Sequence, residues 1–423
     1  MKKLLFLSII SIAGHILHAQ NWNQLTTPNT RNLYGCWFDE THPDTGMAVG
    51  WYIQNNDRLP FGFYTTDGGA SITSGSLFQV YFYASSDVWF TNSYNGVVVG
   101  NGILQTTDGG VNWNLIVDAA MTQAGILENV MFTNSTIGYA VGQRYDFSYT
   151  SFEGMLYKTT NAGGSWTDYT VSQEVNSENT QLHAVYSTGS GVIYAGGENN
   201  LGFGNTLFKS IDDGITWSPL NFSQNIHALH FTSSDTGFAA CTNGLYKTTD
   251  AGMNWVNVLP TTSSLTALKI KNGFGFTAGA NGLMYVTTDN GSTWNQTSIP
   301  VTTTITDISI ISPYLAYAVG TSGTFLKYTN GVGLQDLNET SNLEVWIDAS
   351  FQLHINFDNN STSAIAIDLY DLNGSRTSQI AHQSFPKGHC SINFEMNSYR
   401  NGIYLLKIVS ESKTLIRKIV FVK

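Results

Sequence analysis

Positive charge is scarce in this sequence, with 19 Lys and Arg against 30 Asp and Glu, a net of −11. Between residues 20 and 337 the imbalance is 9 against 22, a net of −13, while from 338 onward the signs balance at 8 each. An acidic chain with so few cations is poorly suited to a phosphate backbone or an anionic lipid surface, which argues against nucleic acid and membrane partners. The three cysteines, Cys36, Cys241 and Cys390, are odd in number and far apart, so they read as small buried hydrophobes rather than a disulfide framework. No CxxC or HExxH spacing occurs, and no metal or cofactor is expected. Past the N-terminus no run of 18 apolar residues appears, so no membrane span is expected. Only 12% of residues are charged and only 8 are Pro, whereas aromatics reach 13% and Gly numbers 41, with Thr, Ser and Asn abundant. That is strand and turn vocabulary, and it predicts an all-β protein.

Lys2 and Lys3 followed by LLFLSIISIAG read as a secretory signal over residues 1–19, cleaved after Ala19. The mature product is expected outside the cytoplasm.

What the chain does contain is repetition. Ser/Thr-x-Asp/Asn-x-Gly-x-x-Trp occurs at Thr106 to Trp113, Thr159 to Trp166, Ser210 to Trp217, Thr248 to Trp255 and Thr287 to Trp294, with a weaker copy at Thr65 that ends in Ile72. The Asp/Asn positions are Asp67, Asp108, Asn161, Asp212, Asp250 and Asp289, at steps of 41, 53, 51, 38 and 39, and a degenerate seventh copy surrounds Asn330. Each copy predicts a hairpin turn in which the Asp or Asn bonds backbone amides two residues on, Gly supplies a positive φ and Trp anchors the returning strand. A Gly-ended strand precedes each turn, as in TGMAVG, IGYAVG and LAYAVG, and a short apolar strand precedes that, as in HAVYS and HALHF. Seven such units of four strands predict a seven-bladed β-propeller over residues 20–332. The last unit lacks a Trp strand, and Trp22 sits in an orphaned one. The reading therefore closes the ring by pairing the two.

After a polar linker, 333–342, the repeat gives way to alternating strands punctuated by Asn373-Gly374 and Asn401-Gly402, predicting a small antiparallel β-sandwich over 343–423. The runs Ile367-Asp-Leu-Tyr-Asp371-Leu-Asn373-Gly374 and Asn401-Gly402-Ile-Tyr404-Leu-Leu-Lys, with the final Lys418-Ile-Val, resemble the C-terminal sorting domain of type IX secretion cargo. That resemblance implies recognition by the type IX translocon in a Bacteroidetes-type bacterium and delivery to the cell surface or medium. The propeller resembles the Asp-box, or bacterial neuraminidase repeat, family, and most of all the seven-bladed photosystem II assembly factors. It implies their fold, not their photosynthetic role.

Each Asp-box residue lies in its own hairpin, so none converges on a shared substrate, and their expected role is structural. Binding is expected on the opposite face, where second-to-third-strand connections are long in blade 1 (51–62), blade 3 (143–154) and blade 4 (198–205). These stretches concentrate Tyr52, Arg58, Phe61, Arg144, Tyr145, Tyr149, Phe152, Glu198 and Phe203. Aromatics beside Arg and acids suit a protein or carbohydrate ligand. The alternative is a glycoside hydrolase, sialidase-like or glucan-cleaving, since the Asp-box family that the propeller resembles includes sialidases and xyloglucan-cleaving enzymes. That would need clustered arginines among Arg31, Arg58 and Arg144, or a carboxylate pair among Asp57, Asp146, Glu153 and Glu198. No spacing marks such a pair, and the expectation is a non-catalytic binding protein.

Overall fold

The computed structural model describes residues 21–77, 82–122, 125–145, 152–169, 180–199, 205–329, 344–348, 350–359, 362–371, 375–400, 402–410 and 414–421. The signal segment 1–19 and the linker 333–342 lie outside them. Two compact units divide near residue 330, and each is described by itself.

In the first unit, seven four-stranded antiparallel sheets each run inner, second, third and outer strand in chain order, except the seventh. There the outer place is taken by Asn21–Gln24, with Trp22 opposite Tyr328 and Gln24 opposite Leu326. The unit is a β-propeller closed by its own first strand. Trp22 is buried among Phe276, Met284 and Tyr328, so the closing strand contributes to the interface between blades 6 and 7.

The Asp-box turns have the same construction throughout, and it differs from the expected one. The Asp or Asn Oδ1 accepts from the amide four residues on, not two: Asn254 to Asp250 at 2.9 Å, and Ser165 to Asn161 at 2.9 Å. The preceding hydroxyl carries the inner half of the turn. Thr248 Oγ1 donates to Asp250 Oδ1 at 2.8 Å and accepts from the Gly252 amide at 3.0 Å. The Trp255 indole then donates to the Gly252 carbonyl at 3.0 Å, an arrangement shared by Trp113, Trp166 and Trp217. In the first copy Ile72 simply packs on the blade 1 core.

The Gly that ends most second strands has a steric cause. Each inner strand carries a bulge opposite it, and a Cβ on Gly50, Gly100, Gly142, Gly279 or Gly320 would stand about 2 Å from a carbonyl oxygen of the inner strand or the residue before it. Backbone can approach this closely only where no side chain intervenes.

Inner strands leave amides pointing at the central axis, and side chains of the preceding blade cap several of them. Asp307 Oδ2 accepts from Cys36 N at 2.9 Å, Asp87 Oδ2 from Val130 N at 3.0 Å, and Asn129 Oδ1 from Val185 N at 3.0 Å.

The second unit packs a three-stranded sheet, Glu344–Ile347, Gln352–Asn359 and Gly388–Glu395, with a four-stranded one around Leu353, Ile355, Ile367, Leu369 and Leu406. The strand Arg376–Phe385 is absent from the sequence-based reading because it is an edge strand, polar and largely exposed along its length. Of the sorting-motif residues, Asp371 accepts from Ser375 N at 2.8 Å and Tyr404 donates to the Arg400 carbonyl at 2.9 Å. Gly402 opens the strand Gly402–Ser410, while Asn373 and Gly374 lie outside the described residues.

Candidate functional site

Where they are described, the stretches expected to be binding loops are largely strand. In blade 1 the hairpin continues through Gly46–Gln54 and Asp57–Thr65, turning at Asn55 and Asn56, both at positive φ. Phe61 is therefore core, packed with Phe63, and not an exposed contact. Tyr52 is half-buried under Arg31, whose guanidinium lies 3.3 Å from its ring centroid. In blade 3, Arg144 is buried and held by Glu153 at 3.1 Å and Asp168 at 3.4 Å, so it too is no open ligand contact. Its neighbour Tyr145 ends the strand Gly138–Tyr145, opposite Phe152. Tyr149, Phe203 and Asp146 lie outside the described residues. The three arginines do not converge: Arg31 sits on Tyr52, Arg58 on Trp51 and Arg144 in its own acid pair.

The side chains that do converge line the central channel, a cavity of about 810 Å³ bounded by the seven inner strands. Trp51 and Glu198, which lead into the second-to-third-strand connections of blades 1 and 4, line it. On the blade 1 side, Tyr34 and Trp51 stack with centroids 5.6 Å apart, and the Arg58 guanidinium lies 4.8 Å from the Trp51 ring. Three blades further round, His183 donates from Nδ1 to Glu128 at 2.5 Å and faces Glu198 at 3.8 Å from Nε2. Gln143 and Asn225 hold the two carboxylates from behind, at 2.7 and 3.3 Å. Burial opposes the charge on His183, but the bonds to Glu128 and Glu198 outweigh it and push its pKa up to about 10. His227 next to it moves the other way, lowered by burial and by the His183 charge.

Asp87, Asp307 and Lys269 line the same cavity and feel one another's charge. Burial, then the Asp307 charge, pushes Asp87 up to about 7, and burial raises Asp307 as well. Lys269 is raised despite its burial because the two carboxylates favour its charge. Its ammonium lies 5.7 Å from the Trp89 ring centroid. Among the described residues the structure gives that ammonium no hydrogen bond and no ion pair within 4 Å. The sequence reading missed Glu128, His183, His227, Lys269, Asp87 and Asp307. Each occupies an axis-facing place in its strand, a signal that could be recovered only by aligning the seven inner strands.

Comparison with known proteins bears on both units. Residues 349–423 match the family model described as Secretion system C-terminal sorting domain. The propeller is similar in structure to YCF48 from Cyanidioschyzon merolae, with a TM-score of 0.53 and 20% identity over 73% of this chain and 98% of that one. It is similar also to a YCF48 bound to D1 peptide, with a TM-score of 0.54 and 22% identity over 73% and 96%. A third similar structure is PorZ, a surface component of the type IX secretion system of Porphyromonas gingivalis, at TM-score 0.50 and 12% identity over 90% of this chain and 58% of that one. No curated protein matches the sequence. At these identities the likeness speaks to fold. The chain carries an all-β propeller followed by a type IX secretion sorting domain. The sorting domain addresses the protein to the cell surface or the medium. Among the described residues no helix is long and apolar enough to cross a membrane.

Proposed function

We propose that this protein is an exported binding module, not an enzyme, which takes an extracellular ligand at the open mouth of its central channel. The observation that carries this reading is the pairing of two unlike walls: the Tyr34, Trp51 and Arg58 stack on one side and the Glu128, His183 and Glu198 clamp on the other. An aromatic shelf opposite a few fixed polar groups is the usual make-up of a ligand site. His183 held protonated between two acids is a fixed charge and a poor general base. A YCF48 of similar fold has been seen bound to D1 peptide, which supports a binding role. The test is binding of the full chain to immobilised polysaccharides and extracellular-type proteins, compared with Trp51→Ala. Equal binding by both would refute the mouth as the site.

The hydrolase reading retains one supporting observation, since Glu128 and Glu198 both line the cavity. Turnover on a polysaccharide panel that disappears in Glu198→Gln would establish it in place of the binding reading.

A further inference from the structure

We propose that the channel interior is a subsite for a neutral saccharide, gripped by Lys269, Asp87 and Asp307 and resting on Trp89. This inference rests on the channel-mouth reading above and names the ligand's chemistry.

The ammonium of half-buried Lys269 lies at the cavity over the Trp89 ring, and among the described residues it has no hydrogen bond and no ion pair within 4 Å. An enclosed ammonium is stable only if acceptors reach it. Asp87 and Asp307 favour its charge and line the same cavity, so a bound group could accept from the lysine and donate to a carboxylate. Asp87 accepts from the Val88 and Val130 amides and from the Asn129 side chain at 2.8 Å, Asp307 accepts from the Cys36 amide, and both carboxylates line the cavity.

The charges decide among ligand classes. An anionic ligand would meet two carboxylates lining the same cavity. A cationic one would meet Lys269. An apolar one would leave all three polar groups desolvated and unpaired. What remains is a neutral ligand with donors and acceptors distributed round its rim and an apolar face. A pyranose is such an object, and the half-buried indole of Trp89 lines the cavity beside Lys269. A cavity of about 810 Å³ has room for a short oligosaccharide end, with the Tyr34 and Trp51 stack receiving the units that emerge.

The experiment is calorimetric titration of the full chain with cello-, xylo-, manno- and chitohexaose, and with oligogalacturonate and sialyllactose as acidic counterparts. At least one neutral hexaose is expected to bind, each acidic probe at least tenfold more weakly. Lys269→Gln should lose at least tenfold in affinity. Because that change leaves Asp87 and Asp307 without their counter-charge and can unfold the ring, Trp89→Phe is the second variant. It should keep the fold, keep weakened binding and lose the ligand-induced change in tryptophan fluorescence. Absence of binding by every neutral hexaose, or binding unchanged in both variants, overturns the saccharide proposal. If the neutral sugars fail while a protein ligand binds in a Trp51-dependent way, the saccharide proposal falls and the mouth reading stands.

Discussion

The indole of Trp22 and the phenol ring of Tyr328 lie 5.2 Å apart on directly opposed residues of neighbouring strands, one from each end of the propeller sequence. Their contact is where the ring is locked. Trp22→Ala should cost about 3–5 kcal/mol, the range for emptying a buried aromatic site. Equilibrium denaturation in urea measures it. A loss under 1 kcal/mol would mean that the closing strand is dispensable.

The Asp-box turns separate two roles. Thr248 is buried and its hydroxyl serves the Gly252 amide, so Thr248→Val should destabilise by roughly 1–3 kcal/mol through a stranded donor. Asp250 is exposed and its effect lies in pH. Bonds from Asn254, then Thr248, lower its pKa to about 2, below the unfolded value of about 3.9. Its contribution is complete above pH 4 and is lost as pH falls through 2. Asp250→Asn should flatten that acid slope while keeping the turn, since Asn161 makes the two Oδ1 bonds in blade 3, although the bond from Asn254 Nδ2 to Oδ2 is lost. Thermal melts from pH 5 to 2 check it.

His183 predicts the opposite slope. Its folded pKa, about 10, lies above the unfolded 6.5. The stabilisation is therefore full below 6.5 and declines as pH rises through 10. Melting temperatures of the native chain should fall between pH 7 and 10, and in His183→Gln that part of the fall should vanish. An identical pH profile in the two proteins would show that the Glu128 and Glu198 clamp does not hold the charge.

Gly35 packs against the next blade. A Cβ there would stand 2.6 Å from Asp87 Oδ1 and 2.7 Å from Asp87 Cα. Gly35→Ala should cost about 1–3 kcal/mol by overpacking, and the strain should reach the channel through Asp87. Chemical denaturation gives the first quantity. Weakened binding of any channel ligand gives the second.

The sequence alone was enough to determine the repeating hairpin, the all-β class, the closure through Trp22 and the sorting tail. Each is written locally: a hydroxyl, an acid, a glycine and an indole at set spacing specify one turn whatever surrounds it. Tertiary structure alone decided where function gathers. Phe61 and Arg144 looked available because strand length is set by pairing, and the partner strands carry both into covered positions. Glu128, His183, His227, Asp87, Lys269 and Asp307 each look ordinary within an apolar strand. They meet only because seven inner strands are bent into a circle, and a circle brings together residues that are distant along the chain and share no local pattern.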